Sequence, residues 1–279
     1  KNADGKQVDV HAFEYDDNGR NIYGIEYPYG SLTGKGNINE QEVNCIDPKW
    51  MFEFKTSYEP KEKDLNDIKA LCDRFGYDLP DEYQKFEKMH ELKVRILSRP
   101  SIVGSTRFIA VDGHGGSGKS TLADVLARQL NAEIIHTDDF AGWDNPDNWW
   151  PLVIERVFDP IKKGATTLSY PRSKWWETHN PEPVVDQPVT DIMILEGVSS
   201  LRKEFRPYLS YGIFVDTPKE VCLQRGFERD KGQDGKSDDE IMHLWQQWHE
   251  KEEIYIDRDS PKAYSDLVLD GTKSFEEQL

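Results

Sequence analysis

The sequence predicts an α/β fold in which a parallel sheet is flanked by helices, together with a smaller α+β amino-terminal domain. From Phe108 onward, short apolar segments alternate with amphipathic helical segments, and such alternation builds a parallel sheet with helices on both faces. The glycine-rich segment VDGHGGSGKST at 111–121 joins the first apolar segment to the first helical one, yet residues 1–110 precede it. We therefore expect two domains, residues 1–98 and 99–279, divided at the connector SRPSIVGST.

The order of elements in the second domain follows from apolar spacing. After a first strand at 108–111, a helix carries one apolar face, made of Leu122, Val125, Leu126 and Leu130. The later segments are a strand EIIH at 133–136, a helix-like stretch at 149–163, a strand DIMIL at 191–195, a strand YGIFVD at 211–216, two helical stretches, and a last strand DLVLD at 266–270.

The first domain mixes strand-like and helical patterns. QVDVHAFEY at 7–15 alternates apolar and polar residues, as a half-exposed strand does. Farther on, apolar residues recur at helical spacing until Gly76, which is predicted to end a helix. Those apolar residues are Leu65, Ile68, Leu71, Cys72 and Phe75.

Composition and charge narrow the classes of function. A formal net charge of -17 over 279 residues argues against non-specific binding to nucleic acid or to an anionic membrane, because like charges repel. No apolar run approaches the roughly 18 residues of a membrane span, so we expect a cytoplasmic protein. The cysteines, Cys45, Cys72 and Cys222, fit reduced thiols better than a disulfide framework or a zinc site. The chain begins with Lys1, which favours a processed or truncated form.

The glycine-rich segment satisfies the pattern G-x-x-x-x-G-K-[ST] through Gly113, Gly118, Lys119 and Ser120. Glycines let the backbone curl so that its N–H groups point at a phosphate, and the helix that begins there adds its positive dipole end. Lys119 is predicted to reach the β- and γ-phosphates of ATP, and the Ser120 hydroxyl to bind Mg²⁺. A flexible turn with a chance lysine is the alternative. The predicted nucleotide-binding residues are Gly113, Gly115, Gly116, Ser117, Gly118, Lys119, Ser120 and Thr121.

Acidic residues follow two of the predicted strands. Ligands of open parallel sheets bind at the carboxyl ends of strands, where Asp138 and Asp139 follow IIHT. A carboxylate there can orient an acceptor hydroxyl and take its proton, although either aspartate could instead cap the next segment. Glu196 ends the strand DIMIL and suits a magnesium-linked role, unless it is a solvated loop residue.

Arg225 and Arg229 lie one helical turn apart in CLQRGFERDKGQ, so both face the same way. Paired guanidinium groups can hold a transferring phosphoryl group, and the glycine-containing tail DKGQDGK suits a closing lid. A solvated helix face, with Arg229 paired to Glu228 or Asp230, is the alternative.

Taken together, five segments resemble the bacterial uridine kinase-like family of P-loop nucleoside kinases over about residues 107–272. They are VDGHGGSGKSTLA, HTDDFAGWDNPDNWW, ILEGVSSLRKEFRPYL, FVDTPKEVCLQRGFERD and DLVLDGT. The resemblance implies a P-loop kinase fold and ATP-dependent phosphorylation of a small-molecule hydroxyl, usually the 5′-hydroxyl of a pyrimidine ribonucleoside. It also implies that Asp138 contacts the acceptor hydroxyl, that Glu196 lies near magnesium, and that Arg225 and Arg229 are lid arginines.

One segment departs from that family. Relatives carry a tyrosine-aspartate-aromatic segment where this chain reads LSYPRSKWWETHNPEP, so the expected aspartate is missing. Tyr170, Arg172, Trp175 and Trp176 still fit a planar, stackable acceptor. Three further tryptophans fit either a wall of the acceptor pocket or the core, namely Trp143, Trp149 and Trp150.

Residues 5–84 resemble the carboxyl-terminal part of aminoglycoside 2''-adenylyltransferase-like nucleotidyltransferases. That resemblance implies a magnesium site built from three aspartates, of which Asp9 matches the third and the first two have no counterpart. We therefore expect this domain to be catalytically silent. His11 shares a strand face with Asp9 and is better interpreted as a structural histidine than as a metal ligand.

Two other classes of function stay open. The chain could bind ATP through Lys119 without turnover, as a sensor module, although Asp138, Glu196 and the arginine pair argue against this. It could also modify an antibiotic, as a kinase or as a bifunctional nucleotidyltransferase and kinase. We expect no nucleic-acid or membrane partner, and the sequence leaves the oligomeric state open.

Overall fold

A computed structural model describes residues 11–142, 148–173, 184–232 and 235–279. The chain divides into two compact units, Lys1–Glu87 and Lys88–Leu279. The sequence places the boundary later, at residue 99. The boundary differs because Leu92 and Ile96 are buried in the core of the second unit, although the sequence assigns them to the first domain.

The first unit combines two antiparallel hairpins with helices, in agreement with the predicted α+β class. Its elements are β1 (Phe13–Tyr15), β2 (Asn21–Gly24), β3 (Gly34–Ile38), β4 (Gln41–Cys45), α1 (Pro48–Thr56), α2 (Glu62–Phe75) and the start of α3 (Asp81–Ser98). α2 ends at Gly76 as predicted, because this residue takes a left-handed conformation and its N–H bonds Cys72 O. Leu65, Ile68 and Tyr83 form the buried core.

The strand predicted at 7–15 is shorter in the described part of the chain. Only Phe13–Tyr15 forms a strand, and Asp9 lies outside the described residues. His11 Nδ1 lies 3.3 Å from the Tyr27 hydroxyl in an exposed position. The metal pairing of Asp9 and His11 therefore stays untested.

The second unit has the predicted alternation of strands and helices. Its elements are β5 (Arg107–Gly113), α4 (Lys119–Leu130), β6 (Glu133–His136), α5 (Trp150–Val153), α6 (Asp159–Lys162), β7 (Thr167–Pro171), β8 (Val184–Pro188), β9 (Ile192–Glu196), β10 (Leu209–Asp216), α7 (Lys219–Asp230), α8 (Asp238–Asp259), α9 (Pro261–Tyr264), β11 (Leu267–Asp270) and α10 (Phe275–Gln278).

Five parallel strands form the sheet in the order β6-β9-β5-β10-β11. β5 lies at the centre, and every residue from Phe108 to Gly113 is buried. The chain goes to one side of β5 for β6 and β9 and to the other side for β10 and β11. The carboxyl end of β5 is therefore the switch point at which ligands of open α/β sheets bind. The predicted α/β fold with a parallel sheet flanked by helices is confirmed.

Two features of the second unit differ from the sequence pattern. The helix predicted at 149–163 contains a π-helical segment, Ile154–Phe158, between α5 and α6. β7 and β8 form an antiparallel hairpin that the sequence did not indicate. Trp149 is buried in the core, whereas Trp143, Trp175 and Trp176 lie outside the described residues.

Within the described ranges, all three cysteines are free thiols, as predicted. No helix in those ranges is both long and apolar enough to cross a membrane.

Candidate functional site

The loop between β5 and α4 has the curled shape that the sequence predicts for a phosphate cradle. Its turn is closed by a 3.0 Å hydrogen bond from Ser117 N to His114 O. Gly113 has φ 149°, and a Cβ there would lie 2.6 Å from Val215 O, so only glycine fits. α4 begins at Lys119 immediately after Gly118, whose φ is 100°. The first N–H groups of a helix lack intrahelical acceptors, so the amino end of α4 can bind an anion.

The Lys119 side chain folds back over this loop. Its Nζ donates a 3.1 Å hydrogen bond to His114 O, and the residue is only 7% exposed. Lys119 also lines the cleft above the loop. The ammonium group is therefore held at the cradle, where a phosphate oxygen could replace the carbonyl as its partner.

A cleft of about 620 Å³ lies over the carboxyl ends of β5, β6 and β9. Among the described residues, most of the predicted site residues line it, namely Gly115, Gly116, Gly118, Lys119, Ser120, Thr121, Asp138, Glu196, Arg225 and Arg229. Gly113, at the end of β5, and Ser117, within the loop, are buried and support the shape of the loop. The sequence thus located most of the cleft from segments that lie far apart in the chain.

Ser120 and Glu196 meet where magnesium is predicted. The Ser120 hydroxyl donates a 3.0 Å hydrogen bond to Glu196 Oε1. Two adjacent ligands on an octahedral Mg²⁺, each at about 2.1 Å, would lie roughly 3 Å apart. Both atoms are hard oxygen donors, which Mg²⁺ prefers. The two residues fit the predicted ion in spacing and in chemistry.

His136 is a member of this group that the sequence reasoning missed. Its Nδ1 lies 2.7 Å from Glu196 Oε2. The pKa of Glu196 is lowered because the His136 and Ser120 hydrogen bonds and the Lys119 charge outweigh burial. The pKa of His136 is raised, because Glu196 outweighs burial there too. Glu196 is therefore held as a carboxylate. His136 could have been identified in the sequence by its position at the end of the predicted strand EIIH, which forms β6.

The structure gives Asp138 and Asp139 different surroundings. The residue pattern alone left both open, and the family resemblance implied a role for Asp138. Asp139 is 2% exposed, and its carboxylate accepts hydrogen bonds from Arg172 Nε at 2.9 Å and Tyr170 OH at 3.3 Å. Asp138 is exposed and lines the cleft. Although the Asp138 side chain reaches the cleft, the protein around the cleft removes part of its hydration. This desolvation and the nearby charge of Glu196 raise the pKa of Asp138. Asp138 is the aspartate that can meet a ligand.

The segment predicted to bind the acceptor is placed differently from the prediction. Tyr170 is 1% exposed, and Arg172 pairs with Asp139, so within the described ranges both support the strand end rather than line the cleft. The reason is that β7 places Tyr170 on its inner face, where the ring stacks against Phe140. The remaining substrate residue of that prediction, Trp175, lies outside the described residues.

Arg225 and Arg229 lie on α7 and both line the cleft, as their spacing predicts. Arg225 Nη1 donates a 2.9 Å hydrogen bond to Gly271 O, which fixes that side chain. Arg229 pairs with Asp230 at 2.8 Å and lies over the Trp245 ring, 5.3 Å from its centroid. The sequence offered the pairing of Arg229 with Asp230 as an alternative to a phosphate-binding role. In the structure Arg229 makes this pair and also lines the cleft.

Asp112, a second residue that sequence reasoning missed, anchors the end of β5. Its carboxylate accepts hydrogen bonds from Gly113 N, Ser199 N, Leu201 N and the Tyr255 hydroxyl. Burial raises the pKa of Asp112 to about 6, against the opposing effect of these donors. Asp112 therefore ties the strand that carries the cradle to the loop after β9 and to α8.

A phosphate cradle at the switch point of a parallel sheet, with acidic side chains at two neighbouring strand ends, defines a P-loop nucleotide-binding protein with a kinase-like α/β fold. Residues 152–274 match the "Phosphoribulokinase / Uridine kinase family". This match includes Glu196, Arg225 and Arg229 and begins after the cradle. It supports a kinase-type domain over those residues.

The chain is also similar to individual proteins. The chain is 24% identical to a uridine kinase of Pectobacterium carotovorum over 183 residues, which cover 58% of this chain and 85% of the relative. It is 25% identical to a uridine kinase of Salmonella paratyphi B over the same shares. A solved structure described as a possible uridine kinase from Bacillus stearothermophilus has a TM-score of 0.46 and 20% identity, covering 67% of this chain and all, 100%, of that one. These findings lend no support to the nucleotidyltransferase resemblance of residues 5–84, which stays a prediction.

Proposed function

We propose that this protein is an ATP- and Mg²⁺-dependent kinase that phosphorylates a hydroxyl group of a small molecule. The acceptor that we propose is the 5′-hydroxyl of a pyrimidine nucleoside. One observation carries the proposal: a single cleft is lined by Lys119, by the hydrogen-bonded pair Ser120 and Glu196, and by Asp138. Donor phosphates, metal and a proton acceptor would then lie within one cavity.

The proposed reaction assigns each residue a role. The backbone N–H groups at the start of α4 and the Lys119 ammonium bind the phosphates of ATP. Asp138 orients the acceptor hydroxyl and takes its proton as the oxygen attacks the γ-phosphorus. The bond from that phosphorus to the β–γ bridging oxygen breaks, and ADP leaves. Arg225 and Arg229 offset the negative charge that spreads over the transferring group.

Ser120 and Glu196 are the residues that would hold Mg²⁺, which neutralises phosphate charge when it is bound. His136 orients the Glu196 carboxylate by hydrogen bonding its second oxygen. This arrangement leaves Glu196 Oε1 facing the Ser120 hydroxyl. The chain supplies two ligand atoms by this account, and phosphate oxygens and water would complete the coordination.

The choice of a nucleoside rests on the relatives. Proteins 24% and 25% identical to this chain are uridine kinases, and the matched family includes both uridine kinases and phosphoribulokinases. An assay of the acceptor therefore compares nucleosides with other classes of small molecule.

A turnover screen with Mg²⁺ tests the proposal. ATP and GTP are each offered with uridine, cytidine, purine nucleosides, nucleotides and aminoglycosides, and the release of the nucleoside diphosphate is measured. We expect turnover with ATP and uridine or cytidine, and loss of turnover in Lys119→Ala but not in Lys163→Ala, an exposed lysine outside the cleft. Binding of ATP without turnover of any acceptor would favour a sensor module. Faster turnover of aminoglycosides than of nucleosides would favour antibiotic modification.

A further inference from the structure

One face of α8 is buried although the proposed reaction assigns it no role. Trp245, His249, Glu252 and Tyr255 follow one another at helical spacing, and each is less than 9% exposed. The face includes two polar side chains that are almost completely enclosed, His249 at 0% and Glu252 at 3%. A buried carboxylate is costly unless it is hydrogen-bonded, so its partners indicate its purpose.

The partners of Glu252 belong to the phosphate cradle. Gly115 N lies 3.1 Å from both carboxylate oxygens and donates to them. His114 Nδ1 lies 3.1 Å from Oε2 of the same carboxylate. Both partners are loop residues between Gly113 and Gly118. A single side chain of α8 therefore bonds the backbone and a side chain of the loop that is predicted to bind ATP.

Two neighbours on α8 hold the same loop residue from other sides. His249 Nε2 lies 3.2 Å from Gly115 O, and burial lowers the pKa of His249, so the neutral ring can donate this bond. A Cβ on Gly115 would lie 2.9 Å from the Trp245 ring and 2.9 Å from Glu252 Oε1. α8 thus contacts the N–H and the carbonyl of Gly115 and leaves no room for a side chain at this position.

We propose that Glu252 is the positioning residue of the phosphate cradle. Its carboxylate turns the Gly115 N–H and the His114 ring toward α8, which leaves the amino end of α4 and the Lys119 ammonium to face the nucleotide. The proposal rests on the proposed binding of ATP in this cleft and adds the residue that sets the shape of the loop. Glu252 touches neither phosphate nor acceptor in this account and acts through Gly115.

The negative charge of Glu252 and its hydrogen bond to the loop should affect phosphate binding in opposite directions. A carboxylate next to the cradle repels the γ-phosphate, so its simple removal would tighten nucleotide binding if charge alone mattered. The proposal predicts the reverse, because a cradle without its hydrogen bond to α8 is no longer preorganised for phosphate. The sign of the change in affinity therefore separates the two effects.

Titration with ADP, turnover kinetics and thermal unfolding of the full chain test this role in Glu252→Ala, Glu252→Gln and Glu250→Gln. Glu250 is an exposed residue on the same helix and gives a matched control for charge. We expect Glu252→Ala to raise the ADP Kd and the ATP KM at least about tenfold, the factor that corresponds to about 1.4 kcal/mol. The acceptor KM should not change. Glu252→Gln, whose amide oxygen still accepts from Gly115, should raise the ADP Kd about threefold.

Other results of these measurements would contradict the positioning role of Glu252. Unchanged or tighter ADP binding in Glu252→Ala overturns the proposal, as does a parallel rise in the acceptor KM, which would indicate general loss of structure. If Glu252→Ala does not fold, equal ADP affinity in Glu252→Gln and Glu250→Gln overturns the proposal.

His114, His249 and Glu252 are also a set of side chains that could hold a metal ion. Loss of ADP affinity after chelator dialysis, restored by Zn²⁺ but not by Mg²⁺, would make them metal ligands instead. Absence of ADP binding in the wild type would refute the proposed function itself.

Discussion

The Ser120 hydroxyl and the Glu196 carboxylate meet at 3.0 Å although they come from α4 and β9. This contact joins the cradle to the neighbouring strand end, at the place where we propose that Mg²⁺ binds. In Glu196→Gln, we expect the Mg²⁺ concentration for half-maximal turnover to rise about tenfold or more, because a neutral amide is a weaker ligand for a hard cation than a carboxylate. ADP binding without metal should be retained. Initial rates across a Mg²⁺ titration measure this, and an unchanged Mg²⁺ dependence would remove Glu196 from the metal site.

The adjacent aspartates should separate into two functions. Asp138→Asn is expected to lower turnover by about two to four orders of magnitude, the usual size of a general-base effect, with ADP affinity and thermal stability nearly unchanged. Asp139→Asn removes a buried negative charge that pairs with Arg172, so its main effect should be a lower melting temperature. Asp124→Asn, an exposed aspartate on α4, is the control. Turnover near wild type in Asp138→Asn would transfer the proton-accepting role to another group or to simple positioning.

The local parts of this site could be predicted from the sequence. Gly113, Gly118, Lys119 and Ser120 lie within eight consecutive residues, and their chemistry depends on a turn that such spacing produces by itself. Asp138 and Glu196 could be located because each follows an apolar strand, and parallel strands end at one edge of the sheet. The helices and strands around these residues could also be predicted, because the spacing of apolar residues within each one is a local pattern.

The remaining parts depend on contacts between distant segments. Gly115 and Glu252 are 137 positions apart, and no local pattern indicates that α8 lies along the cradle. The hairpin of β7 and β8 was missed because its strands are separated by residues 172–183, so the alternation of Leu168 and Tyr170 had no visible partner. The family resemblance implied Asp138 rather than Asp139, but no local pattern indicated the hydrogen bond from Arg172 that engages Asp139.

The pH dependence of turnover offers a further check on Asp138. Its pKa is raised above the ordinary value of 3.8 by desolvation and by the charge of Glu196. A general base must be deprotonated to act, so turnover should fall as the pH falls through this raised value. We expect the acidic limb of the kcat/KM profile above pH 3.8 and a lower apparent pKa in Glu196→Gln, which removes the neighbouring negative charge. An acidic limb that does not move in Glu196→Gln would show that Asp138 does not set it.

The first unit can be tested through a buried ion pair of its own. Asp64 is 3% exposed and accepts a 2.7 Å hydrogen bond from Lys55 Nζ, which holds the pKa of Asp64 below its ordinary value of 3.8. Asp67 also pairs with Lys55, at 2.9 Å, but its side chain is 59% exposed. We expect Asp64→Asn to lower the opening free energy of this unit by about 1–3 kcal/mol. The matched Asp67→Asn should lower it by less than about 1 kcal/mol.

Amide hydrogen exchange of α2 in the full chain measures both variants, with β5 as the internal reference. Because ionised Asp64 is favoured in the folded state, its contribution is present above pH 3.8 and is lost as the pH falls through its lowered folded pKa. The difference between wild type and Asp64→Asn should therefore shrink below pH 3.8. Equal exchange in the two variants at neutral pH would mean that the burial of Asp64 adds nothing to its pairing with Lys55.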